Sequence, residues 1–233
     1  DIGRLAETPE IWRHDTSRME YVKHFGYPVT EASGHNSEYS PWFRKNEAMI
    51  NRYCPGGSWN GGPGFIKELY NRPDWRKTMR KMATWETPIS LERSIEYGSQ
   101  IIHAITSNQP EIIYGNVPNH GLIDNLPKDA CVEVACRVDS QGIQPIPFGA
   151  LPEHLAAINR NQINVQRLAV LASQRADPEL IFQAMCLDPL TASILTLDEI
   201  RSMTRELLDA HQAVLPEEFR HRRLAEKPLL YSL

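Results

Sequence analysis

The 233-residue sequence contains no stretch near the roughly 18 apolar residues needed to cross a membrane. No charged, apolar and small-residue leader pattern opens it either, so neither membrane association nor a signal peptide is expected. Basic residues are not in excess: 25 Lys and Arg stand against 29 Asp and Glu, for a net charge of -4. That balance argues against a nucleic-acid partner, which calls for a basic surface. Cysteine is scarce, with only Cys54, Cys131, Cys136 and Cys186, and no two of them form a C-x-x-C pair. The expectation is four free, mostly buried thiols in a cytoplasmic protein, with neither a disulfide framework nor a zinc knuckle. Also missing is a G-x-G-x-x-G turn between a strand and a helix, so the chain carries no dinucleotide fingerprint. No internal repeat is visible.

What is present suits a folded globular domain. Apolar residues make up 41% and charged residues 23%, ordinary proportions for a chain that buries a core. Pro9 to Phe25 reads as one helix, with Ile11, Met19, Val22 and Phe25 on its apolar stripe and Gly26 as its stop. Residues 27–33 read as extended, and 34–43 as a loop rich in polar and aromatic groups. Cys54 to Gly64, with five glycines and two prolines, reads as a further loop. A helix is expected after Ser90, burying Ile95, Ile101, Ile102 and Ile105 and ending at Asn108 and Pro110. Ile112–Val117, Cys131–Val138 and Ile143–Ile146 read as strands, the last two joined by a hairpin turn over Asp139–Gly142.

From Leu151 to about Pro216 the chain turns helical. One long helix spans His154–Ser173, another starts at Asp177-Pro178, and Thr196-Leu-Asp-Glu199 has the spacing of a capping box. Pro216 closes the last of these, and the basic tail after Arg220 is expected to be loose. The fold class is therefore α+β, a small and mostly antiparallel sheet with long helices.

Three clusters hold chemistry: Ser33-Gly-His-Asn-Ser-Glu-Tyr39, Glu96-Tyr-Gly98, and the segment from Tyr114 to Pro127. By residue type alone, His35 is a hydrogen-bonded or surface histidine before it is a metal ligand, since no partner stands at ligand spacing. Tyr97 is likewise a packed tyrosine first. Arg93, four residues before it on an expected helix, would face it and favour the phenolate. Asn116, Asn119 and Asn125 suit turns and sugar hydroxyls equally.

Taken in order along the chain, these segments resemble glycoside hydrolase family 4. The resemblance rests on Thr30-Glu-Ala-Ser-Gly-His-Asn-Ser-Glu-Tyr-Ser-Pro-Trp-Phe43, Tyr114-Gly-Asn-Val117, Gly121-Leu-Ile-Asp-Asn-Leu-Pro127, Cys131-Val-Glu-Val-Ala-Cys136, Gly142-Ile-Gln-Pro145 and Leu151-Pro-Glu-His154. The version around His35 is most similar to the α-galactosidase branch. The resemblance implies a lactate-dehydrogenase-like C-terminal domain over 1–233, binding substrate and metal, with the family's N-terminal Rossmann domain outside the chain. It implies NAD and Mn²⁺ as cofactors of the full-length enzyme, and a homodimer or homotetramer.

It also implies a mechanism outside the two-carboxylate scheme of glycosidases. The sugar is oxidised at C3, a base takes the proton at C2, the leaving group is eliminated, water adds, and the hydride returns. By this match Tyr97 is the catalytic base, His35 a metal ligand, and Asn36 and Asn119 substrate-binding residues, with Arg93 tuning Tyr97. Activity is not expected from these residues in isolation.

Pro118 and His120 depart from the family pattern, which often has Arg or Lys and then Asp at these places. Proline offers neither charge nor N–H, which weakens a phosphoglycoside reading. α-Glucosides, glucuronides and galacturonides stay open as substrates. So do a dehydrogenase that releases its oxidised product and a non-catalytic oligomerisation or sugar-binding module.

Overall fold

Residues 2–56, 74–92 and 96–225 are described by the structure, a computed structural model. The chain forms two units: Asp1–Phe65 with Ile158–Leu233, and Ile66–Ala157. From residue 57 onward the expected loop from Cys54 to Gly64 lies outside the described residues.

In the first unit the N-terminal stretch is broken where one helix was expected. Helices α1 (Ile2–Ala6), α2 (Pro9–His14) and α3 (Thr16–Phe25) follow one another, and Asp15 between the last two has non-helical φ -147° and ψ 60°. The break serves a side chain. The Asp15 carboxylate accepts from the Ser33 hydroxyl at 2.6 Å and from Arg18 Nη1 at 3.1 Å. Apolar periodicity carries no trace of such a long-range tie. Ala6, Met19 and Val22 form the small core here, with Ile11 and Trp12 packed on it. The stop at Gly26 is as expected: φ is +80°, and its N–H closes on the Val22 carbonyl.

Two short helices follow, α4 (Ser33–Glu38) and α5 (Glu47–Tyr53), the second capped by Asn46 Oδ1 accepting from Met49 N. Tyr21, Phe25, Trp42, Phe43 and Tyr53 stack nearby as tilted or edge-on ring pairs.

The second unit holds α6 (Trp75–Ala83), α7 (Gly98–Ser107) and an antiparallel sheet ordered β1 (Glu111–Pro118), β2 (Cys131–Asp139), β3 (Gly142–Pro145). Val132, Val134, Cys136 and Val138 of β2 are buried, with Ile113 of β1. The period-2 alternation sends their neighbours outward. Each buried valine contributes about 1.5–3 kcal/mol. Helix α7 lies against both β1 and β2, where its Ala104 is fully buried.

Gly115 allows a close approach, because a Cβ there would lie 3.3 Å from Cys136 Sγ. The hairpin is as expected: Asp139 pairs with Gly142, and Asp139 Oδ1 accepts from Gln141 N and Gln144 Nε2. Helix α7 begins at Gly98, later than expected, and ends at Asn108 in the left-handed region.

The long helix α8 (Glu153–Arg175) is followed by α9 (Pro178–Leu187), α10 (Pro189–Ile194), α11 (Leu197–Ala210) and α12 (Glu217–Arg220). The caps match the sequence. Asp177 accepts from Glu179 N with proline first in α9, and both halves of the Thr196–Glu199 capping box form. As far as Ala225, the tail is better anchored than expected. Arg201 holds Glu179 through two bonds, and Ala225 bonds to both residues.

All four cysteines are free; Cys54 and Cys136 are buried, Cys186 is half-buried and Cys131 is exposed. No helix among the described residues is long and apolar enough to cross a membrane.

Candidate functional site

His35 lies in a helix, where the sequence suggested a loop. Ser, Gly and Asn are weak helix formers, so propensity does not build α4. Tertiary hydrogen bonds do. Ser17 Oγ donates to the Ser33 carbonyl at 2.8 Å, and Ser33 Oγ accepts from Arg18 N while donating to Asp15. Arg44 Nε donates to Ser37 Oγ at 2.8 Å, and Arg44 Nη2 reaches the Gly34 carbonyl. Ser33, Gly34, Asn36 and Ser37 are all buried, so the small residues form the inner face and His35 is left on the outer one.

The imidazole of His35 is 66% exposed, and its Nδ1 stands 3.2 Å from Glu31 Oε1. In the tautomer that donates from Nδ1, the Nε2 lone pair is free; Nε2 has no partner among the described residues. A carboxylate behind one ring nitrogen and an open position at the other is a common arrangement for a metal-binding histidine. Glu31 was missed in the sequence. Its only signal is the four-residue spacing, which carries meaning only once the chain is known to coil there. Among the described residues no group of three His, Cys, Asp or Glu side chains could hold a metal ion. His35 therefore does not complete a metal site with other side chains among the described residues.

Asn36, next to His35, points the opposite way. It is buried, and its Nδ2 donates to Ser17 Oγ at 3.0 Å.

Tyr97 belongs to the second unit. It is the residue before α7, 43% exposed, and its hydroxyl donates to the Tyr114 carbonyl of β1 at 3.1 Å. Because α7 starts only at Gly98, Tyr97 stands at its N-terminal boundary and not within the helix. Arg93 itself lies outside the described residues.

Asn119 requires a correction. It is fully buried, its Oδ1 accepts from Ile123 N at 2.7 Å, and its Nδ2 donates to the carbonyls of Ile123, Leu126 and Pro127. Every polar atom of the amide is committed to the loop after β1, which leaves nothing to offer a sugar hydroxyl. Asn125 acts similarly, bonding the Leu151 backbone in both directions. Asn116 alone of the three is exposed, on β1. His120, a departure noted in the sequence, holds φ +42° and donates its N–H to the Lys128 carbonyl.

The structure thus pairs His35 with Asn36 on one short helix, and places Tyr97 and Asn119 in the other unit.

Residues 3–191 match the model of the family 4 glycosyl hydrolase C-terminal domain. An α-galactosidase of Bacillus subtilis (strain 168) is 39% identical over 225 residues, covering 92% of this chain and 49% of that protein. An α-galactosidase of Rhizobium meliloti (strain 1021) is 34% identical over 221 residues, covering 93% and 45%. A crystal structure of a 6-phospho-α-glucosidase from gut microorganisms, in complex with NAD and Mn²⁺, superposes with a TM-score of 0.52 at 20% identity, covering 63% of this chain and 34% of that one. The chain spans about half the length of the curated relatives it matches. It belongs to family 4 of the glycosyl hydrolases and corresponds to that family's C-terminal domain.

Proposed function

We propose that residues 1–233 are the substrate- and metal-binding domain of an NAD- and Mn²⁺-dependent α-galactosidase. The observation that carries this is His35: an exposed imidazole, braced by Glu31 and open at Nε2, within a chain 39% identical to an α-galactosidase. The NAD and Mn²⁺ bound by the structural relative are the support for the cofactors. A divalent cation would supply Lewis-acid stabilisation of negative charge on a substrate oxygen. His35 would hold it, and Glu31 would fix the ring. Tyr97 is the proposed base for the C2 proton, its hydroxyl oriented by the Tyr114 carbonyl. Asn36 contributes by setting the rotation of α4, and with it the aim of His35, through Ser17.

Free thiols and a nicotinamide cofactor support a cytoplasmic setting. Exposed Ile112 and Tyr114 on β1, with Ile102 and Ile105 on α7, support a homodimer or homotetramer that covers apolar surface. Sedimentation of the full-length enzyme reads that state directly.

The test is hydrolysis of nitrophenyl α-galactoside by the full-length enzyme, with and without NAD⁺, Mn²⁺ and reductant. Activity should require both cofactors and leave no net NADH, since the hydride returns within each turnover. Turnover indifferent to NAD⁺ and Mn²⁺ overturns the proposal. A preference for α-glucosides, glucuronides or galacturonides moves the substrate within the family. Net NADH release would mark a dehydrogenase instead. Glu31→Gln should weaken Mn²⁺ activation by roughly tenfold or more, the range typical for groups that brace a ligand.

A further inference from the structure

A cavity of about 250 Å³ opens between α11 and the segment from α12 to Leu224, far along the chain from His35 and Tyr97. Its chemistry is divided. Leu208, Leu215, Phe219 and Leu224 give it an apolar lining, and Phe219 and Leu224 are buried. Four arginines line it as well: Arg205, Arg220, Arg222 and Arg223.

One acidic residue, Asp209, stands among them, and it is taken by Arg223 at 2.6 Å. Arg220 is held in place by its own backbone contacts, Nε to the Leu215 carbonyl at 2.9 Å and Nη2 to the Ala213 carbonyl at 3.2 Å. The guanidinium groups of Arg205 and Arg222 have no partner among the described residues. A chain of net charge -4 therefore concentrates uncompensated positive charge around one small apolar hollow. Random placement of surface arginines gives a solvated face, not a hollow with a hydrophobic floor.

We propose that this cavity binds a small organic dianion with an apolar flank, of the phosphate monoester class. Guanidinium forks match phosphate oxygens in pairs. Several uncompensated cations favour a dianion over a monoanion. The leucine and phenylalanine lining favours an ester whose other end is apolar over a bare or fully hydroxylated anion. The volume suits a molecule smaller than a drug-sized ligand. The segment that carries three of the arginines is anchored at Ala225 by Glu179 and Arg201, so the hollow is fixed before any ligand arrives.

The test is calorimetric titration of the full chain with phenyl phosphate at low salt, beside inorganic phosphate and phenol. Phenyl phosphate should bind at least roughly tenfold more tightly than either, because only it satisfies both halves of the cavity. The double variant Arg205→Ala, Arg222→Ala should weaken it by roughly tenfold or more, and raising salt should weaken it further. Both side chains are exposed and unpaired, so the variant should fold, which circular dichroism verifies. Equal binding of inorganic and phenyl phosphate, or undiminished binding by the double variant, overturns the proposal. This outcome is independent of glycosidase activity, since the titration needs neither NAD⁺ nor Mn²⁺.

Discussion

Tyr21 joins opposing demands in one side chain. Its ring packs among Phe25, Trp42 and Phe43, and its hydroxyl lies 3.0 Å from Ser40 Oγ. Ser40 donates to the Asn36 carbonyl, so the phenol is the donor to Ser40. Burial pushes the Tyr21 hydroxyl above its ordinary value of 10.0. Above pH 10 the unfolded chain has lost this proton while the folded chain keeps it. The folded state then binds more protons, so stability falls as pH rises through this window. Tyr21→Phe should cost about 1 kcal/mol at neutral pH, for the lost hydrogen bond. It should also flatten the decline above pH 10, read as the wild-type minus variant difference in urea unfolding. Parallel curves for the two proteins would sink the claim. None of this was legible in the sequence, where Tyr21 was one more residue on a helix. His35 was legible as a position within an ordered motif. Glu31 was not, because its relation to His35 depends on a helix whose cause is Asp15, Ser17 and Arg44 acting from a distance.

Elements whose ends are set by neighbours in sequence were the ones the sequence revealed. Asp177 before Pro178, Thr196 three residues before Glu199, and Asp139 opposite Gly142 all do locally what their chemistry suggests. The break at Asp15 and the helix Ser33–Glu38 arise from side-chain partners 7 to 18 residues away, and no local pattern marks them. The loop between β1 and β2 is an intermediate case. Its asparagines suggested turns and sugar contacts equally, and the geometry decides for Asn119. Replacing Asn119 with alanine would leave Ile123 N and the Leu126 carbonyl without their partner inside the loop, while the Ile123 and Pro127 carbonyls keep Leu126 N and Ala130 N. The expected loss is about 2–4 kcal/mol, seen as an earlier thermal midpoint. Asn119→Asp should be no better, since a carboxylate would face the carbonyls of Ile123, Leu126 and Pro127. Asn116→Ala, at an exposed position, should change stability by less than about 0.5 kcal/mol. If Asn119→Ala keeps full stability yet loses substrate affinity in the full-length enzyme, the amide is a substrate contact after all.

At the scale of the whole molecule, order at the end of the described chain comes from residues that meet only in the folded state. Glu179 opens α9, Arg201 lies in α11, and Ala225 follows α12. Arg201 Nη1 and Nη2 take the two Glu179 oxygens at 3.1 and 3.3 Å. Arg201 also stacks 3.9 Å from the Phe182 ring centroid, and both charged side chains are largely shielded, at 12% and 17% exposure. The sequence suggested a loose basic tail because composition records the arginines and not the clamp. Removing one partner of a shielded pair leaves an uncompensated charge, so Glu179→Ala should cost roughly 3 kcal/mol. The local consequence is sharper than the global one. Ala225 N would lose its acceptor and the segment 221–225 its anchor. Trypsin should then cut faster after Arg222 and Arg223 under native conditions. Arg223→Ala, which breaks an exposed pair with Asp209, is the control, and its stability should barely change. Cleavage after Arg222 at the wild-type rate in Glu179→Ala would mean that the segment is held by Phe219 and Leu224 burial alone.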